Sequence, residues 1–208
     1  MWSCMGLLEG LVASRFSMFV SELEEGLNCV LDVGCRFGWA GHLLASIAGK
    51  PLKITGLDIY EPYLEKLAAM SKMYDLVKID LETDPIPLPD ESVDIAMAIE
   101  VLEHLSKAAG YRLVKEMERV TRRGGFVYLT TPNGFAQTHG RAAHLTHKSG
   151  WTIHELKRLG FEVRGYGFPL RRRAGGISRL VSNIDFAWTS LSRIIPSVSY
   201  GLEAWKKR

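Results

Sequence analysis

The sequence predicts a doubly wound α/β sheet of seven strands, on three observations. Cys29-Val30-Leu31-Asp32-Val33 is a strand-forming run that closes on an acid and turns through Gly34 and Gly38 into a helix. Strand-like and helical patterns then alternate as far as Phe168, which is the rhythm of βαβ units. Val93–Ile99 is near-continuously apolar, as a central parallel strand buried on both faces must be. In such sheets ligands collect beyond the carboxyl ends of the strands, so a binding site is expected at the turn after residue 33.

Along the chain, Leu7, Leu8, Leu11, Val12, Phe16, Phe19, Val20 and Leu23 recur at helical spacing. This amphipathic helix, within residues 1–27, either covers an edge of the first strand's sheet or closes over the ligand. Met1–Val20 lacks a basic leader and a small-residue cleavage site, and Arg15, Glu22, Glu24 and Glu25 interrupt or bound it, so no signal peptide is expected. Trp39–Ala48 reads as a helix, Leu52–Asp58 as the second strand, and Glu61–Lys72 as a helix with Pro62 in its permitted first turn. Leu76–Asp80 is the third strand. Thr83–Pro89 holds three prolines and is irregular. After the fourth strand, a helix from about Leu105 to Thr121 is expected to stop at Arg122-Arg123-Gly124-Gly125, where cations suit the dipole and glycines end the helix. The fifth strand is Phe126–Thr131. Residues 134–150 are polar and rich in glycine and histidine, a loop over the sheet's carboxyl edge. Trp151–Leu159 is helical, Phe161–Phe168 is a sixth strand, and 198–205 alternates as the last.

Composition agrees with one domain. The 208 residues are 47% hydrophobic and 24% charged, enough for a full core. The domain divides into the N-terminal helix (1–27), a binding core (28–168), a helical lid-like insertion (169–197) and a final strand (198–208). A net charge of +3 is well short of the concentrated positive charge of a nucleic-acid binder, so no nucleic-acid partner is expected. Cys4, Cys29 and Cys35 form no C-x-x-C, which fits a reducing, cytoplasmic setting without disulfide or zinc framework.

The chemistry begins at the first turn. Gly34 and Gly38 bring a ligand against bare backbone, and the amides of the helix opening near Trp39 offer donors to an anion. Asp58 closes the second strand twenty residues after Gly38 (58 − 38 = 20), where an acid accepts from ribose hydroxyls. The spacing Gly34-x-x-x-Gly38 is not the dinucleotide pattern G-x-G-x-x-G, which weighs against a nicotinamide oxidoreductase.

Together, Val-Leu-Asp-Val-Gly-Cys-Arg-Phe-Gly and Gly-Leu-Asp-Ile-Tyr resemble the first motifs of class I S-adenosylmethionine-dependent methyltransferases. Asp80-Leu81, Leu88–Asp94, Glu100–Leu105, Gly124–Asn133 and Leu159–Val163 continue the "type 11" pattern in order and spacing, over roughly residues 28 to 167. The resemblance implies a Rossmann-like sheet, mostly parallel, with helices on both faces and the last strand inserted antiparallel between the fifth and sixth. It also implies S-adenosyl-L-methionine as cofactor, held by Asp32, Gly34, Cys35, Arg36, Gly38, Asp58, Ile59, Asp80, Leu81 and Glu100. Asp32 would face the ammonium, or cap the following turn. Asp58 would hold the ribose, with Ile59 and Tyr60 packing on the adenine side. Asp80 and Leu81 would reach the adenine, or Asp80 would form an Asx turn. Glu100 would face the methionyl end. The family usually carries glycine where Arg36 stands, so either the turn relaxes or Arg36 pairs with the methionyl carboxylate.

An oxygen or nitrogen acceptor needs a base, for which His104, His139, His144 and His147 are the candidates; His104 and His147 are the expected catalytic pair. Glu103 and His104 have ordinary alternatives as a helix N-terminal acid and an exposed polar residue. Glu100-Val101-Leu102-Glu103-His104 with His147 also resembles the E-x-x-E-H arrangement that holds a divalent metal in methyltransferases of small-RNA ends and quinone precursors. Many relatives keep the pair without metal, and none is expected. These residues point to methyl transfer to a small-molecule or lipid-like acceptor, with a non-catalytic binding or assembly protein that keeps the fold as the alternative. In the insertion, Arg171-Arg172-Arg173 precedes an apolar stripe from Ile177 to Ile195. Residues 171–195 would pack on the domain or in a homodimer, or lid the acceptor site at an anionic membrane surface.

Overall fold

A computed structural model describes residues 2–23, 26–134, 143–166 and 199–208. The expected insertion helix, Arg171–Arg173 and His139 lie outside these residues. The chain order is α1 (Trp2–Glu22), β1 (Cys29–Val33), α2 (Trp39–Ala48), β2 (Lys53–Asp58), α3 (Glu61–Met70), β3 (Tyr74–Lys78) and β4 (Val93–Ile99). A 3₁₀ turn (Leu102–His104) leads into α4 (Lys107–Val120) and β5 (Thr121–Pro132). A second 3₁₀ turn (Ala143–Leu145) precedes α5 (Ile153–Arg158), β6 (Glu162–Tyr166) and β7 (Gly201–Lys207).

The seven strands form one sheet in the order β3-β2-β1-β4-β5-β7-β6. All pairs are parallel except β5–β7 and β7–β6, so β7 enters antiparallel between the fifth and sixth strands. Because strand side chains alternate, the central strands feed two cores. Val30, Ile95, Met97, Phe126 and Tyr128 face α1, α2 and α3, while Leu31, Ala96, Ala98, Val127 and Leu129 face α4 and α5. β4 therefore reads as an unbroken apolar run. The switch in winding direction, from β1–β2–β3 on one side to β4–β5 on the other, opens a crevice above the carboxyl ends of β1 and β4.

α1 covers its face of the sheet through Val12, Phe16 and Phe19, all fully buried, with Phe19 stacked 4.4 Å from Phe126. Among the described residues no helix is long and apolar enough to cross a membrane. Several boundaries depart from the sequence expectations, among them β7, which runs 201–207 rather than 198–205. β3 starts two residues earlier, at Tyr74, because that tyrosine is drawn into the core beside β1. α4 starts at Lys107 rather than near Leu105, because Ser106 caps it by accepting from the Ala109 amide. Arg122–Gly125 is not a simple stop: Thr121 is already extended and pairs with Val93, and the strand bulges through left-handed Gly124 before Phe126 meets Ile95.

Candidate active site

The turn after β1 keeps left-handed backbone at Gly34 (φ 66°), Arg36 (φ 47°) and Gly38 (φ 72°). A Cβ on Gly34 would come within 2.6 Å of Val101, so the turn also needs the missing side chain for space. Arg36 does not relax the turn. It accepts a conformation costing about 1–2 kcal/mol for a residue with a Cβ, and its N–H donates to Asp58 Oδ2 at 3.1 Å. Asp58 Oδ1 accepts from the Tyr60 amide at 2.9 Å. One carboxylate thus ties the first turn to the end of β2, and each oxygen keeps a second lone pair for a ligand.

These elements wall a cleft partly open to solvent. Gly34, Arg36, Asp58, Ile59, Asp80, Leu81, Glu100 and His104 line it, eight of the residues expected from sequence. Asp32, Cys35, Gly38 and His147 do not. Asp32 lies 3% exposed beneath the turn, accepting from the Tyr74 hydroxyl at 2.8 Å, and the same hydroxyl reaches the Gly38 carbonyl at 3.0 Å. Cys35 is buried, and burial followed by the charges of Asp32 and Asp58 pushes its thiol far above the ordinary range. It packs rather than reacts.

Burial, then the charge of Asp58, lifts Asp32 to about 7, with the Tyr74 bond opposing. The folded state therefore holds this proton more tightly than the unfolded chain, whose carboxyl titrates near 3.8. Its contribution to stability is present at low pH, is lost as pH rises to about 7, and is flat above, a change on the order of 4 kcal/mol. Ligand-free protein is expected to melt at lower temperature at pH 7.5 than at pH 5. Asp32→Asn should make that slope shallower, leaving the remainder from Glu100 and Glu103. Melting curves at four pH values check this, and an unchanged slope in the variant would contradict it.

The far wall carries two buried acids. Glu100 takes a left-handed conformation (φ 56°), and its Oε1 accepts from the Thr130 hydroxyl at 2.9 Å and the Tyr166 hydroxyl at 2.8 Å. Glu103 Oε2 accepts from the Thr131 hydroxyl at 3.1 Å. Burial raises both carboxyls, and the charge of Glu100 raises Glu103 further. His104 Nδ1 sits 3.2 Å from the Thr146 carbonyl, which only accepts, so Nδ1 carries the hydrogen and Nε2 keeps its lone pair. Burial, then His147 and Arg36, lowers its pKa and keeps it neutral. Glu103, His104 and His147 each present a ligand atom, all within 4.8 Å of one another. Of the four residues that resemble the E-x-x-E-H metal arrangement the structure groups these three, while Glu100 Oε1 is engaged by Thr130 and Tyr166.

Residues 144–149 return across the cleft. Lys148 and Ser149 donate backbone N–H groups to the Glu103 carbonyl at 2.7 and 3.1 Å. The Lys148 ammonium pairs with Glu82 at 2.8 Å, and Glu82 also accepts from the Ser106 amide and hydroxyl. Burial alone would raise Glu82, but these donors hold it down near 2.

Residues 31–129 match the family described as a methyltransferase domain. That stretch is thus similar to the methyltransferase domain of S-adenosylmethionine-dependent enzymes. Among curated relatives, a probable S-adenosylmethionine-dependent methyltransferase of Mycolicibacterium smegmatis is 34% identical over 140 residues, covering 64% of this chain and 52% of that protein. A sterol methyltransferase-like protein of Botryococcus braunii is 28% identical over 196 residues, covering 81% of this chain and 48% of that protein. The chain therefore spans about half the length of these two relatives. A solved structure of a SAM-dependent methyltransferase from Archaeoglobus fulgidus superposes with a TM-score of 0.64 at 18% identity, covering 96% of this chain and 94% of that one, a likeness of fold.

The methyltransferase cofactor suits this cleft on the chemistry of its lining: each oxygen of Asp58 keeps a lone pair for a hydroxyl donor, and the bare backbone of Gly34 lines the same cleft. Sequence reasoning missed Tyr74, Thr130, Tyr166, Glu82 and Lys148. Tyr74 holds Asp32, and Thr130 and Tyr166 hold Glu100, while Glu82 and Lys148 pair with each other on the cleft wall; no spacing rule announces such partners. Glu82 alone carried a signal, as an acid two residues after the Asp80 strand end.

Proposed function

We propose that this methyltransferase domain moves a methyl group from S-adenosyl-L-methionine to an oxygen or nitrogen of a small-molecule or lipid-like acceptor. The observation that carries this reading is the neutral His104, with its Nε2 lone pair free, on the same cleft as the ribose acid Asp58. The cofactor supplies an electrophilic methyl on a sulfonium, whose positive charge disappears during in-line displacement. Asp58 and the Gly34 backbone would hold the nucleoside, and Arg36 would answer the methionyl carboxylate. His104 would take the acceptor's proton at Nε2, and Asp80 with Leu81 would exclude water around the adenine. A lipid-like acceptor draws support from the relative named for sterol methylation. The test is incubation with methyl-labelled cofactor and fractionated cell extract. Label in an apolar fraction, abolished by His104→Ala with cofactor binding intact, is expected. Tight cofactor binding with no labelled product in any fraction would favour the assembly-protein reading instead.

A second reading is favoured by the grouping of Glu103, His104 and His147: a divalent metal there would orient the acceptor's oxygens, and His104 would ligate rather than accept a proton. On the base reading, exhaustive chelation leaves the labelling rate unchanged. A loss restored by one added divalent cation would establish the metal reading.

A further inference from the structure

We infer that Tyr74 is a positioning residue for the cofactor: its hydroxyl, seated behind the turn of residues 34–38, holds that turn in the shape that receives the nucleoside. The inference rests on the methyltransferase cofactor reading and adds to it a residue that touches no ligand. Tyr74 opens β3, is 8% exposed, and sends its ring in beneath the first turn. Three glycines make room for that ring. A Cβ on Gly38 would stand 3.0 Å from it, one on Gly56 in β2 would stand 2.8 Å from it, and one on Gly41 inside α2 would fall on the hydroxyl itself. Glycine weakens a helix interior and a strand alike, so two regular elements each give up stability where this side chain passes. The slot is cut for the hydroxyl as well as for the ring.

That hydroxyl stands between two acceptors, Asp32 Oδ2 at 2.8 Å and the Gly38 carbonyl at 3.0 Å. Its one hydrogen goes to Asp32 while the acid is ionised, and to Gly38 when the acid is protonated and itself donates to the phenol oxygen. In both states the hydroxyl joins the end of β1 to the start of α2. The Gly38 carbonyl also accepts from the His42 amide at 3.1 Å, and the Gly38 N–H donates to the Cys35 carbonyl at 2.7 Å, which closes the turn. Gly38 is left-handed (φ 72°) and has no side chain to steady it. A peptide group is planar, so the direction of its carbonyl also fixes that of the Trp39 amide at the open end of α2. From Gly38 the turn runs back to Gly34 and Arg36, which line the cleft, and the Arg36 amide reaches Asp58 at 3.1 Å. A chain of contacts thus leads from Tyr74 to the acid placed for the ribose, while the tyrosine itself stays out of the cleft lining.

Calorimetric titration of S-adenosylhomocysteine into the full chain, with melting curves on every variant, tests this. Tyr74→Phe keeps the ring in its slot and removes the hydroxyl; it is expected to weaken binding about tenfold. Gly41→Ala keeps the hydroxyl but drives it off its two acceptors, in a helix that alanine favours, and should weaken binding to a similar degree. Because both changes act on one contact, the double variant should lose little more than either single one. Phe126→Leu thins the packing against Phe19 without touching the turn, and should bind as the wild type does despite its lower melting temperature. Wild-type affinity in folded Tyr74→Phe would overturn the inference, as would losses that multiply in the double variant. Equal weakening in Tyr74→Phe and Phe126→Leu would overturn it as well, by reducing the tyrosine to general stability. Failure of the wild-type chain to bind would overturn the cofactor reading, and the inference with it.

Discussion

Asp58→Ala is expected to weaken S-adenosylhomocysteine binding about 10- to 100-fold, the largest effect on cofactor affinity of any single change at the site. Hydrogen bonds to a charged acceptor contribute about 1.5–3 kcal/mol, and this carboxylate has a double task. It would accept from the ribose, and it also receives the Arg36 and Tyr60 amides at 3.1 and 2.9 Å. Removing it therefore strips the ligand contact and frees a left-handed arginine whose conformation depends on that bond. Asp58→Asn keeps one carbonyl acceptor and should lose less. Calorimetric titration at neutral pH measures both variants. Equal affinity in Asp58→Ala and the wild type would remove Asp58 from the nucleoside site.

Arg15→Ala should destabilise the fold by about 3–5 kcal/mol, the largest expected effect on stability. The guanidinium donates from Nε and Nη2 to the two oxygens of Glu203 at 3.0 and 3.1 Å, a bidentate pair that is 8% and 1% exposed. Its carbon also lies 3.3 Å from the Trp205 ring centroid. Alanine would leave Glu203 buried in β7, where among the described residues its remaining side-chain hydrogen-bond partner is the Tyr128 hydroxyl at 3.5 Å. Replacing both partners, as in Arg15→Met with Glu203→Leu, should recover most of the loss, because an apolar pair of similar volume leaves no orphan charge. Urea denaturation reads both variants, and a double variant no more stable than Arg15→Ala would contradict this account.

Sequence alone was enough for the sheet, because its signals are local. Apolar runs such as Val93–Ile99 must be buried on both faces, and Gly34, Gly38 and Asp58 stand at spacings set by one β-α-β unit. The antiparallel seventh strand was legible only through resemblance, since alternation in 201–207 says nothing about direction. Tertiary structure decided what depends on distant partners. Arg15 and Glu203 are 188 residues apart, Tyr74 reaches Asp32 across 42, and Tyr166 reaches Glu100 across 66. No periodicity encodes such meetings. Tertiary structure also divided the expected site in two. Asp32, Cys35 and Gly38 support the turn from behind, while Asp58, Glu100 and His104 face the cleft. The physical reason is the pleat and the turn together: neighbouring residues at a strand's end point to opposite sides, so spacing names the residues of a site and packing decides which of them a ligand can touch.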